Sequence, residues 1–127
     1  MIYNEAIRNA RIQVVIDSID SSASTLKFYS GTKPSSVDVD ITDQVLLCEI
    51  AFSNPCSSSI TNGVATMANL SATLAIENGT VSFARIMAGE IGIVDLDVSE
   101  ISSEITTDTA IMYKGVLVSI EGWTLSD

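Results

Sequence analysis

The amino-acid sequence predicts a mainly β domain: a single β-sandwich or jelly-roll-like unit over residues 26–126, preceded by one α-helix over 4–19. Three observations carry this. Gly, Pro, Asn and Asp turn signals recur roughly every eight to twelve residues, the spacing of short strands in all-β domains. Between them, Val, Ile, Leu and Phe alternate with polar residues at period two, and only the N-terminal segment has the period of a helix. Charged residues make up 17% of the chain, against about 25% in ordinary domains. Much of the surface is therefore built from Ser, Thr, Asn and Gly. At 127 residues the chain fits one domain with its own core.

The helix over 4–19 lacks Gly and Pro, with Asn4 placed to cap it and Glu5 to complement its dipole. Ile12, Val15, Ile16 and Ile19 form one apolar stripe, and Tyr3, Ala6, Ile7, Ala10 and Val14 form a second on a different side. Two apolar faces exceed what one domain surface covers, so either the helix is deeply buried or one face meets another subunit, with the second stripe as the candidate interface. A polar connector over 20–24 follows, then a strand over 26–30 closed by Gly31-Thr32-Lys33-Pro34 and an extended surface loop over 35–43.

The strand over 45–52 is expected to point Leu46, Cys48, Ile50 and Phe52 to one face and Leu47, Glu49 and Ala51 to the other. A loop over 53–59 and the Asn62-Gly63 hairpin turn follow. Strands over 64–67 and 70–76 lead to a second Asn-Gly turn at Asn78-Gly79. Along the strand over 81–87, Val81, Phe83, Arg85 and Met87 share a face; along 91–98, Ile91, Ile93, Asp95 and Asp97 do. A polar loop over 99–108 and one closing strand over 116–125 complete the chain. The sheet elements are expected to close their own core, leaving the helix as an added surface whose loss harms assembly more than folding.

Catalytic chemistry finds little support in the residue types. There is no histidine, which removes the usual base at neutral pH, Ser-His-Asp and Cys-His systems, and the commonest metal ligand. Two cysteines without histidine do not make a zinc site, and no glycine-rich phosphate loop occurs. Asp38 with Asp40, and Asp95 with Asp97, could bind calcium or form a glycosidase pair, but neither has calcium-loop spacing. Solvated acids are the commoner reading. Trp123 could stack on a sugar, although a lone Trp in a closing strand is more often core. The expectation is a non-enzyme without metal or cofactor.

Net charge is −10, from 6 basic and 16 acidic residues, which argues against nucleic acid and against an anionic membrane surface. No apolar run approaches the roughly 20 residues of a membrane span, and the start of the chain lacks a basic region followed by an apolar one. Synthesis in a cytoplasm is expected, with Cys48 and Cys56 as reduced, structural thiols.

The order of features resembles a group of small virion structural proteins of tailed bacteriophages. An Ala- and Arg-containing helix is matched by Ile7-Arg8-Asn9-Ala10-Arg11-Ile12-Gln13, and an aromatic-Ser/Thr-Gly-Thr-x-Pro turn by Phe28-Tyr29-Ser30-Gly31-Thr32-Lys33-Pro34. A Leu-Leu strand ending in Ser-Asn/Asp-Pro is matched over 46–55, a Phe-x-Arg-Ile/Val strand by Phe83-Ala84-Arg85-Ile86, and an acidic Asp-x-Asp-Val strand over 95–98. Around 60–77 the Gly-Thr-Ala-rich stretches of that group give way to Ile, Met and Glu. The resemblance spans nearly the whole chain and implies a particle component made in the host cytoplasm. The expected role is a head decoration or cement protein, a homo-oligomer such as a trimer whose partners are copies of itself and the major capsid or other virion proteins. The alternative it leaves is a tail- or fibre-associated structural or receptor- or carbohydrate-binding module.

Overall fold

A computed structural model describes residues 3–97, 111–120 and 123–126. The fold is mainly β with one helix. Helix α1 (Glu5–Asp20) starts as its cap predicts: Asn4 Oδ1 accepts a hydrogen bond from the Ile7 amide at 2.9 Å. At its other end the buried Ser24 hydroxyl donates to the Ile19 carbonyl at 2.6 Å, satisfying an acceptor that the last turn leaves open.

Eleven strands follow among the described residues: β1 (Ser24–Ser30), β2 (Val45–Ala51), β3 (Ser57–Thr61), β4 (Val64–Met67), β5 (Leu70–Leu74), β6 (Gly79–Thr80), β7 (Phe83–Ala88), β8 (Ile91–Asp97), β9 (Ile111–Met112), β10 (Leu117–Ile120) and β11 (Thr124–Ser126). The main sheet is antiparallel in the order β2-β1-β7-β8. A second sheet runs β11-β4-β3, and two-stranded ladders join β10 to β5 and β6 to β9. One face of the main sheet, with Leu26, Phe28, Cys48, Ile50, Ala84 and Ile86, meets α1 and the smaller sheets in a single apolar core. The other face carries Tyr29, Phe83 and Arg85, all buried. Over this second face lies the segment 31–44, reached by the Arg85 guanidinium at the Val39 and Ser36 carbonyls, 2.8 and 3.3 Å away.

The helix corrects the expectation of a self-closing sheet core. It packs against β7 and β8 on one side and β3 and β4 on the other. Ile12, Ile16 and Ile19 sit at 4%, 4% and 1% exposure within the shared core. The isoleucine stripe therefore supplies part of the apolar cover that the sheets share.

Other differences follow from strand pairing. The Asn62-Gly63 turn forms as expected, with φ +53° and +77° and Thr61 facing Val64 across the hairpin. Gly63 is required there twice over, because a Cβ would also come within 2.9 Å of Arg8 Cβ. The second Asn-Gly pair makes no hairpin. Gly79 pairs with Met112 in the β6–β9 ladder, and Asn78 Oδ1 accepts from the Lys114 amide at 2.8 Å. Here a distant strand outbids the local turn preference. Strand β3 begins at Ser57, inside the expected loop over 53–59, because Cys56 and Ser57 are drawn alongside β4.

Leu47 was expected opposite Cys48, yet both are fully buried. Between Phe28↔Cys48 and Tyr29↔Leu46 the register slips by one residue, and this bulge turns Leu47 inward, where its tip lies beside Gly79. The closing segment over 116–125 is two strands in different sheets, since Val118 pairs with β5 and Leu125 with β4. The expected polar loop over 99–108 lies outside the described residues. Among those described, no helix is long and apolar enough to cross a membrane.

Candidate assembly surface

The five residues of the second helical stripe point away from the core. Ala6 and Ala10 are exposed, Ile7 is 44% and Val14 65% exposed, and Tyr3 is half-buried beneath the Arg11 guanidinium, 4.7 Å from its ring centre. Tyr3, Ile7, Ala10 and Val14 recur at four- and three-residue steps, which stacks them into one seam along the helix. The C-terminal end of that seam opens into a groove of about 630 Å³ between α1 and the β7–β8 hairpin. Val14, Val15 and Ser18 line one wall; Ile91, Gly92 and Ile93 line the other. Ile91 is 73% exposed, the largest value among the big apolar side chains described.

A second apolar area was missed in the sequence. Leu74 and Leu117 are direct cross-strand partners on β5 and β10, at 52% and 58% exposure. Ile76, Tyr113 and Val116 extend the area, at 48%, 58% and 46%. The sequence marks 70–76 as a strand without assigning its faces, and only the pairing of β5 with β10 brings these residues together. Ala75, buried at 2% and bridged to Val116 and Gly115 through its backbone, fixes which face turns out.

Of the carboxylates weighed for metal or sugar chemistry, Asp95 is committed to a partner and Asp38 and Asp40 lie apart from it in a loop. Asp95 gives both oxygens to Arg85, at 2.7 Å to Nε and 3.0 Å to Nη2. That hydrogen bond raises the already high pKa of the guanidinium, and burial works against it. Asp38 and Asp40 are exposed in the 31–44 segment. Among the described residues no three His, Cys, Asp or Glu side chains gather where they could hold a metal ion. Trp123 is 1% exposed, donates from Nε1 to the Ala68 carbonyl at 3.1 Å and lies 6.0 Å from the Phe52 ring, so it fills the core and offers no stacking face.

Cys48 and Cys56 are free, buried thiols. Burial raises both, and Cys56 is pushed up to about 12, with the Asp20 carboxylate adding to the burial effect. Asp20 Oδ1 also accepts the Cys56 amide at 3.0 Å. Two consequences are expected. A thiol reagent such as Ellman's should label neither cysteine below about pH 9 without denaturant, and reductant should leave the melting temperature unchanged. Alkaline pH should also destabilise the fold. The unfolded thiol ionises near 8.5, so stability conferred by the protonated Cys56 is complete below that value and declines as pH rises towards 12. Rapid labelling of the native protein at pH 8 would contradict this.

Scans against protein-family models, curated proteins and solved structures yield no match to this chain.

Proposed function

We propose that the protein is a virion structural component of a tailed bacteriophage, a head decoration or cement protein that binds the capsid surface as a homo-oligomer. The observation that carries the reading is the outward seam of α1, with Val14 at 65% exposure, running into the groove beside Ile91 at 73%. Isolated exposed apolar side chains are ordinary, but a contiguous apolar strip marks a surface meant to be covered. The low charge density and the Ser- and Thr-rich composition suit a surface packed among neighbours. Binding would act by mass action, stabilising the folded subunit as copies and shell sites fill.

Sedimentation velocity tests the self-association. The full chain at high micromolar concentration should sediment as species heavier than its 13.5 kDa mass. It should also co-sediment with purified heads of the phage that encodes it. A monomer at every concentration that stays behind when those heads are pelleted would refute the proposal.

A further inference from the structure

We infer that Asn62-Gly63 is a latent self-modification site, at which the chain converts Asn62 to aspartate or isoaspartate, and that helix α1 holds it unreactive. The Gly63 backbone nitrogen, once its proton is lost to hydroxide, can attack the Asn62 carboxamide carbon. A C–N bond forms, the Cγ–Nδ2 bond breaks, and the side-chain nitrogen leaves as ammonia. Water then opens the cyclic imide at either carbonyl, giving aspartate or isoaspartate. Glycine has no side chain to shield its nitrogen, which leaves Asn-Gly especially open to this step. Asn62 stands exposed at the tip of the β3–β4 hairpin.

Three side chains of α1 close on this tip. Glu5, Arg8 and Asn9 follow i, i+3 and i+4 spacing, so they share one face of the helix. Glu5 Oε1 accepts a hydrogen bond from the Asn62 amide at 3.2 Å. The Arg8 guanidinium donates to Asn62 Oδ1 and, at 2.8 Å, to the Tyr3 carbonyl. Asn9 Oδ1 accepts from the Gly63 amide at 2.6 Å. Both groups that must join are therefore held. Arg8 fixes the carboxamide that has to turn towards the main chain, and Asn9 retains the proton that has to leave. Gly63 is buried against Arg8 Cβ, which shields its nitrogen from solvent base. Reaction then requires the helix to lift from the hairpin, a local opening whose free energy sets the rate. The two products differ in consequence. Aspartate preserves an acceptor for Arg8, whereas isoaspartate adds a main-chain carbon to the two-residue turn that sets Thr61 opposite Val64.

The test follows acid formation at positions 62 and 78 by peptide-mapping mass spectrometry of the full chain, incubated in mildly alkaline buffer. Asn78-Gly79 is an internal reference, because its contacts are with Lys114 and Met112 and do not involve the helix. Asn62 in the parent protein should convert about tenfold or more slowly than in a synthetic peptide of residues 58–67, since only opened molecules react. Asn9→Ala and Arg8→Ala should each speed conversion at Asn62 and leave Asn78 at the parent rate. Alanine favours the helix, so both variants should keep the parent circular dichroism spectrum. Asn9→Ala should also speed hydrogen exchange at the Gly63 amide. Conversion of the parent at the peptide's rate, or Asn62 rates that neither variant changes, would show that the helix does not guard the turn. Equal acceleration at Asn62 and Asn78 would assign the protection to overall stability and overturn the clamp as well.

Discussion

Deleting residues 1–20 is expected to leave a chain that unfolds or aggregates. Ile12, Ile16 and Ile19 are each within 4% of complete burial and belong to the one core that the sheets share. Burying an isoleucine contributes roughly 1.5–3 kcal/mol, so the three together approach the whole margin of about 5–15 kcal/mol that a domain has. The deletion also strips water-free cover from the inner faces of β7, β8, β3 and β4. A graded version separates folding from assembly. Ile16→Ala should lower stability by about 2–5 kcal/mol in urea unfolding, whereas Val14→Ser, on the opposite side of the same helix, should change it by under about 0.5 kcal/mol. A truncated chain that remained soluble, β-rich by circular dichroism and cooperative in unfolding would show that the sheets close without the helix.

Arg85→Met is expected to cost about 3–5 kcal/mol, because it leaves the Asp95 carboxylate buried without its partner. The side chains of this pair are 4% and 9% exposed. The guanidinium also supplies donors to the Val39 and Ser36 carbonyls, so its loss should loosen the 31–44 segment over the Tyr29–Phe83 stack, whose ring centres are 5.2 Å apart. Faster hydrogen exchange at the Val39 amide, which donates to the Ser36 carbonyl at 3.1 Å, would report that loosening. Asp95→Leu should be similarly costly, since it strands a buried cation. The double variant Arg85→Met with Asp95→Leu should recover most of the loss, because an apolar pair needs no compensating charge. Single substitutions within 1 kcal/mol of the parent protein, or a double variant equal to the sum of the two, would argue that solvent reaches the pair.

This ion pair shows where reading the sequence stops. Arg85 shares a face with Phe83 and Met87, and Asp95 with Ile91 and Ile93, in the alternation of each strand alone. Gly89 and Glu90 form a two-residue turn that sets Ala88 opposite Ile91 and Met87 opposite Gly92. Continued without interruption, that register would place Arg85 against Val94. A bulge after Met87↔Gly92 shifts it by one, giving Ile86↔Val94 and Arg85↔Asp95. Nothing in the alternation announces the bulge. It is held by packing, because Gly92 must stay bare where Val37 of the overlying segment would meet a Cβ at 2.8 Å. The candidate surface divides similarly. The helix seam was legible from spacing alone, whereas the β5–β10 area required knowing that residues 70–76 pair with 116–120.

By itself the sequence determined the locally encoded parts: the Asn4-capped helix and its two stripes, the Asn62-Gly63 hairpin and the short alternating strands that make the protein mainly β. These depend on contacts within a few residues, where backbone preference and periodicity suffice. Only the tertiary structure decided that the inner stripe completes the core, that Asn78-Gly79 yields to a ladder with Met112, and that residues 116–125 serve two sheets. Each of those outcomes turns on strands far apart in the chain competing for the same hydrogen-bonding edges and the same apolar cover. Such competition is settled by the packing of the whole domain, and periodicity within one segment carries no record of it.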